Sequence, residues 1–274
     1  MPSAITDLSR LCIHTMSTKP WSLAETIEGY TSAGVAGITV WRQHLEPQGA
    51  AESGNMLRDS GLTVVSLCRG GFFPATTDDG RAEALDDNRR AVDEAAAIGA
   101  PLVVLVCGAV PGMPLAEGRK QIADGVAAIA PYAKQAGVKL SIEPLHPMYA
   151  DCRSAVNTLG QANDMVEQLE HPMVGVTVDV YHLWWDPDLE REIARAGDTI
   201  FSFHVSDWRT PTRDILKDRA LMGDGCIDIP RIRGWVETAG FSGYNEVEIF
   251  SKEHWARDQA EYVEDITTSY LAHV

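Results

Sequence analysis

A short apolar or β-branched run followed by a longer segment of helical period recurs eight times along the chain, and this rhythm limits the fold more than any single motif. The runs are LCIHTM (11–16), GITVWR (37–42), TVVSLCRG (63–70), PLVVLVCG (101–108), KLSIEPL (139–145), VGVTVDVYHL (174–183), TIFSFHVSDW (199–208) and YNEVEIF (244–250). Helical patterns separate them. The first is SLAETIEGYTSAG, with Ser22 as N-cap and Glu25 three residues on. A Gly/Ala/Asn-rich stretch at 48–60 follows, then 81–99, 115–136, 154–170, 188–196, 229–239 and 254–272. Gly34, Gly99, Gly137 and Gly240 stand where C-caps belong. Eight such units in 274 residues leave nothing for a second domain, so the expected fold is α/β: one (β/α)8 TIM barrel over 1–274. An open doubly wound sheet would normally place a glycine-rich turn after its first strand, where this chain has TMSTKPWS.

Charge narrows the partners. Lys plus Arg number 23 against 39 Asp plus Glu, a formal net charge of −16 that repels a phosphate backbone or an anionic membrane surface. Nucleic acid and membrane are therefore excluded as expected partners. No run approaches the roughly 20 apolar residues of a bilayer span, and MPSAITDLSRLCIH lacks the pattern of a signal peptide, so a soluble cytoplasmic protein is expected. Five scattered cysteines without CxxC spacing read as reduced thiols.

Chemistry in such a barrel lies at the C-terminal ends of the strands. Four consecutive runs end in residues that apolar packing does not explain: Glu143, Asp179, His204 and Glu248. Each alone reads as an ion-paired or hydrogen-bonded residue; together, three carboxylates at one barrel mouth need a shared counter-charge. One divalent cation supplies it. The oxygen-rich set suits Mn²⁺ or Mg²⁺ better than a structural zinc, and Co²⁺ also fits. Glu246 and Glu248 share one side of their strand, and Glu248, nearer the C-terminal end, is taken as the ligand.

With these four residues, and with SIEP (141–144), VDVYH (178–182), FHVSDW (203–208), GDGCIDI (223–229) and EVEIF (246–250), the sequence resembles the sugar phosphate isomerase/epimerase family of xylose-isomerase-like barrels. The resemblance implies a metal-dependent isomerase or epimerase acting on a keto sugar or related polyol ketone. It also implies that Glu143 and Glu248, themselves ligands, move protons on either side of a metal-stabilised enediolate, and that His182 contacts a substrate oxygen. Many members carry an Asn-Arg pair after the strand-five glutamate, where this chain has His146 and Pro147. An imidazole there can serve as a further base or merely hold a hydroxyl.

His14, Trp41, Arg42, Arg69 and Trp208 complete the expected substrate lining, each balanced against a rim ion pair or core packing. The charged segment 209–225 is long enough to be a lid. Trp184, Trp185, Trp235 and Trp255 offer surfaces for a homo-oligomer or a second subunit. The alternative function is a lyase, in which the same deprotonation expels water or the aglycone of a 3-oxo-glycoside. DNA repair on this fold conflicts with the charge, and a metal-free scaffold is the remaining reading.

Overall fold

The computed structural model describes residues 4–274. Eight parallel strands close into a barrel in chain order: β1 (Leu11–His14), β2 (Gly37–Trp41), β3 (Thr63–Gly71), β4 (Leu102–Val106), β5 (Lys139–Glu143), β6 (Val174–Asp179), β7 (Ile200–Val205) and β8 (Asn245–Val247). Closure places Leu11 beside Asn245 and Cys12 beside Glu246. Every expected strand forms. The principal helices are α1 (Leu23–Ser32), α2 (Ala50–Ser60), α3 (Asp78–Ile98), α4 (Leu115–Ala136), α5 (Leu159–Leu169), α6 (Leu189–Ala196), α7 (Ile229–Thr238) and α8 (Gln259–His273).

Local chemistry sets their ends. Ser22 and Glu25 form the reciprocal capping box of α1. Gly99 and Gly137 end α3 and α4 with φ of 77° and 72°, the left-handed geometry that a Cβ disfavours. Two helix expectations are corrected. The pattern at 154–170 becomes helical only at Leu159, because Asn157 spends its side-chain amide on the carbonyls of Leu145 and Ser154 and Thr158 supplies the N-cap. The pattern at 254–272 divides into a short helix, Lys252–Trp255, and α8, whose N-cap is Asp258.

The expected lid segment contains a two-stranded antiparallel ribbon, Asp207–Trp208 with Arg219–Ala220. Its base is fixed by Asp207, whose carboxylate accepts the backbone N–H groups of Trp208, Gly223, Gly225 and Ile227 at 2.8–3.0 Å. A Cβ on Gly225 would lie 2.3 Å from Asp207 Oδ1, so this approach requires glycine.

The apolar core sits between strands and helices, with Ile13, Val40, Leu67, Val103, Ile142, Val178 and Val205 fully or almost fully buried. Each such side chain contributes about 1.5–3 kcal/mol on burial. The barrel interior, by contrast, carries a polar layer. Thr39, Ser66 and Ser202 donate hydroxyls to Glu246 at 2.6, 3.1 and 2.5 Å, and Ser141 pairs with Thr177 at 2.6 Å. Among the described residues no cysteines pair, and no helix is long and apolar enough to cross a membrane.

Candidate active site and metal centre

Glu143 and Asp179 are the last residues of β5 and β6, His204 lies one residue from the end of β7, and Glu248 follows β8. Parallel strands in one barrel deliver all four to the same mouth, where each offers a ligand atom within 4.8 Å of the others. All are buried. His204 Nδ1 lies 3.1 Å from Glu143 Oε1, yet neither atom has a hydrogen-bond partner of acceptable geometry. Two buried polar atoms that face one another without a bond suit a shared cation, and three carboxylates with one imidazole are ligands fit for a divalent metal.

Arg219, which the sequence reading left inside the lid, enters this cluster from the ribbon. Its Nη1 lies 2.6 Å from Glu248 Oε2 and 3.3 Å from Asp179 Oδ2, while Nη2 lies 3.1 Å from His182 Nε2. The guanidinium is buried and stands 4.3 Å over the Tyr181 ring. A signal was available: Arg219 opens the apolar run ALM within an otherwise polar segment. Burial would raise the Glu248 pKa, but Arg219, His14 and His204 outweigh it and hold this carboxyl well below its usual range. Burial pushes Asp179 the other way, upward, with Arg219 opposing and the neighbouring glutamates adding to the rise. His182 is kept neutral, its pKa lowered by burial and by Arg219.

Beneath the cluster, Glu246 accepts the three hydroxyls of the polar layer and lies 3.3 Å from His14 Nε2 and 3.8 Å from His204 Nε2. Burial opposes its ionisation, yet His14, His204 and Ser202 bring its pKa down to about 2. His14 Nδ1 lies 3.3 Å from Glu248 Oε1, so the His14 ring stands between the two glutamates. For His204, burial is outweighed by Glu143, Glu246 and Glu248, and the pKa rises to about 10.

A family model described as the xylose isomerase-like TIM barrel matches residues 12–266, a span that contains this entire cluster. The chain belongs to that family. A crystal structure of a Sinorhizobium meliloti 1021 protein is similar throughout: 46% identity, TM-score 0.94, 97% of this chain and 99% of that one. The 3-dehydroshikimate dehydratase of Pseudomonas putida is 26% identical over 239 residues, which are 84% of this chain and 36% of that protein. Inosose isomerase of Bacillus licheniformis is 26% identical over 196 residues, 67% of this chain and 66% of that protein. The chain thus spans about a third of the dehydratase's length and just under two thirds of the isomerase's.

In this xylose isomerase-like barrel the mouth narrows to a small cavity of about 20 Å³, room for about one water molecule, whose walls include Trp41, Glu143, His182, Arg219, Glu248 and Phe250. A larger hollow on the outer surface, beside Asp228 and Trp235, contains none of the four clustered residues. The structure does not bring all the expected lining residues to the mouth. His14 is fully buried between Glu246 and Glu248, and its Nδ1 accepts the Trp41 indole N–H at 3.2 Å. Arg42 is spent on ion pairs with Asp87 and Glu94 of α3 at 3.0 and 2.6 Å, the rim salt bridge that its sequence context also allowed. Trp208 stacks on Tyr181, with centroids 4.8 Å apart, and is not part of the cavity wall.

His146 is likewise outside that wall, packed against Trp208 and Trp185. Its Nδ1 accepts the Met148 backbone N–H at 3.2 Å, and its own backbone N–H donates to His182 Nδ1 at 3.3 Å. Burial lowers its pKa. A neutral imidazole that accepts at Nδ1 carries its proton on Nε2, so this geometry offers a donor and argues against a base. Arg69 lies over the Phe72 ring and is also outside the cavity wall, whereas Arg153, which the sequence reading passed over, lines the cavity.

Proposed function

We propose that this protein is a metal-dependent enzyme that moves a proton at the carbon beside the carbonyl of a keto sugar or cyclic polyol ketone, with isomerisation or epimerisation as the outcome. The observation that carries the reading is the set Glu143, Asp179, His204 and Glu248, gathered within 4.8 Å at the barrel mouth. A divalent cation held there, Mn²⁺ by the ligand chemistry with Mg²⁺ or Co²⁺ as alternatives, supplies polarisation of a carbonyl oxygen.

The chain's own residues supply the rest. Glu143 and Glu248 take and return the proton, and Arg219 keeps Glu248 ionised while adding positive charge where oxyanion character develops. His182, in the cavity wall with Nδ1 taken by the His146 N–H, reaches a substrate oxygen through Nε2 only when the substrate takes the place of its Arg219 contact. Trp41, Val106 and Phe250 form apolar wall that limits water. Family relatives named as an inosose isomerase and a 3-dehydroshikimate dehydratase support carbonyl-bearing carbocycles and sugars as the substrate class. The dehydratase favours a second reading, in which the same proton abstraction is followed by loss of a β-substituent.

The test is proton NMR in D2O of metal-loaded protein with a panel of ketoses and inososes. Deuterium wash-in beside the carbonyl is expected, falling at least about 100-fold in Glu143→Gln, in line with loss of a general base. Products lacking water select the lyase outcome. A panel in which no ketone exchanges overturns the reading.

A further inference from the structure

The arginines around the mouth divide into two kinds. Arg42 pairs with Asp87 and Glu94, Arg209 and Arg213 with Asp218, and Arg219 with Asp179 and Glu248. Arg69, on β3, and Arg153, on the loop after β5, have no carboxylate partner among the described residues. Arg153 lines the same cavity as Glu143 and Glu248, and its Nε is buried without a hydrogen-bond partner.

Aromatic rings orient the two guanidinium groups, Phe72 at 4.1 Å from Arg69 and Tyr149 at 5.8 Å from Arg153. Such contacts act on the face of a guanidinium and leave its in-plane N–H donors unmatched. Those rings belong together, Phe72 packing against the cluster of Val106, Leu145 and Tyr149, and so bring the two guanidinium groups into one neighbourhood. Burial and then Arg153 are the leading causes that bring Arg69 down to about 10. Holding two partly desolvated like charges together is unfavourable unless an anion joins them, and a carboxylate or phosphate matches the guanidinium fork. In a protein of net charge −16 the surrounding field does not attract such an anion, so a local cationic pair is the means of holding one.

We propose that Arg69 and Arg153 form a subsite for an anionic group of the substrate, a carboxylate or a phosphate, so that the enzyme acts on an acidic keto-polyol in preference to a neutral ketose. This rests on the proton-transfer reading above and names its substrate class. A hydroxyl accepts one or two of these N–H bonds but leaves both charges uncompensated. Arg153 lines the cavity that Glu143 and Glu248 also line, so an anion it holds lies beside those carboxylates, with Arg69 outside the cavity wall as the second cation.

The experiment is calorimetric titration of metal-loaded protein with D-fructose, D-fructose 6-phosphate and 2-keto-D-gluconate, at low and high salt. At least one anionic ketose is expected to bind about tenfold or more tightly than fructose, with the advantage shrinking at high salt. The tighter of the two identifies phosphate or carboxylate as the group held. Arg153→Gln and Arg69→Gln should each cut the anionic-to-neutral affinity ratio at least about fivefold, and Arg153→Lys should restore part of it. A ratio near one, or a ratio unmoved by both glutamine substitutions, overturns the subsite. Deuterium wash-in separates the two levels. Exchange of neutral ketoses alongside a ratio near one removes the subsite and keeps the chemistry, whereas binding and exchange of none of the three removes both.

Discussion

His44 illustrates how one side chain ties the loops around the mouth to pH. It is buried, its Nδ1 lies 3.1 Å from Thr15 Oγ1, and burial together with the Lys19 charge lowers its pKa to about 4. An unfolded histidine titrates near 6.5, so between pH 6.5 and 4 the unfolded chain binds a proton that the folded one refuses. Stability from this residue is therefore full above pH 6.5 and is lost as pH falls toward 4, by up to about 3 kcal/mol. Urea titrations of wild type and His44→Gln should show a stability difference that shrinks by that amount from pH 7 to 4. A difference constant across the range sinks the assignment. His44 drew no notice in the sequence because nothing near it marks burial. The clustered residues were legible for a reason that is now plain. Each sits two positions after a buried polar residue on the same side of its strand: Ser141 and Glu143, Thr177 and Asp179, Ser202 and His204, Glu246 and Glu248. Arg42 and His146 lie past strand ends, where the loop decides the direction of a side chain, and Arg69 lies within β3 at a register shift between Cys68 and Gly70 that breaks the pleat. Their placement was not readable from period two.

At the scale of elements, the segment between the ribbon strands behaves as a strap over the mouth. Leu216 reaches the cavity wall, and the Tyr149 hydroxyl donates to the Ile215 carbonyl. Its anchors are charged: Arg213 with Asp218 and Glu253, and Lys252 with Asp214 at 2.8 Å. The Arg213–Glu253 and Lys252–Asp214 pairs are largely exposed, screened by salt and weak, whereas Asp218 is buried and makes the Arg213–Asp218 pair the main anchor. Arg213→Ala should speed hydrogen exchange of residues 209–218 by about tenfold or more while leaving the global unfolding midpoint unchanged, since local opening costs less than global unfolding. Equal protection in the variant and wild type would show that the strap is held by other contacts. The lid was legible as a long charged loop; the ribbon inside it was not. Two residues per strand carry no period, and their pairing depends on Asp207 gathering the four backbone N–H groups that fold the GDG turn back. The same limit explains α5, whose start depends on what Asn157 bonds across the loop.

For the whole molecule, the barrel was readable because eight strands must each bury an apolar face against a helix, a demand written in every repeat. What the repeats also do is concentrate negative charge. Glu143, Asp179, Glu246 and Glu248 are all buried within one closed sheet of a chain that already carries −16, while Arg219 is the buried arginine that enters the cluster from the ribbon. Repulsion among those carboxylates opposes folding, and the proposed cation in the four-residue set would remove part of it. Metal and stability are then linked by mass action: a cation at a hundredfold excess over its dissociation constant adds about 2.7 kcal/mol, or about 5–10 °C in a chain of this size. Protein treated with chelator and returned to Mn²⁺ should regain that shift in a thermal scan. His204→Ala, which removes one ligand and leaves Glu246 with its three hydroxyl donors, should fold and show almost no response, whereas Arg153→Gln should respond as wild type does. If His204→Ala gains as much from Mn²⁺ as wild type, the cation stabilises the protein somewhere other than the mouth, and the four-residue set is not its site.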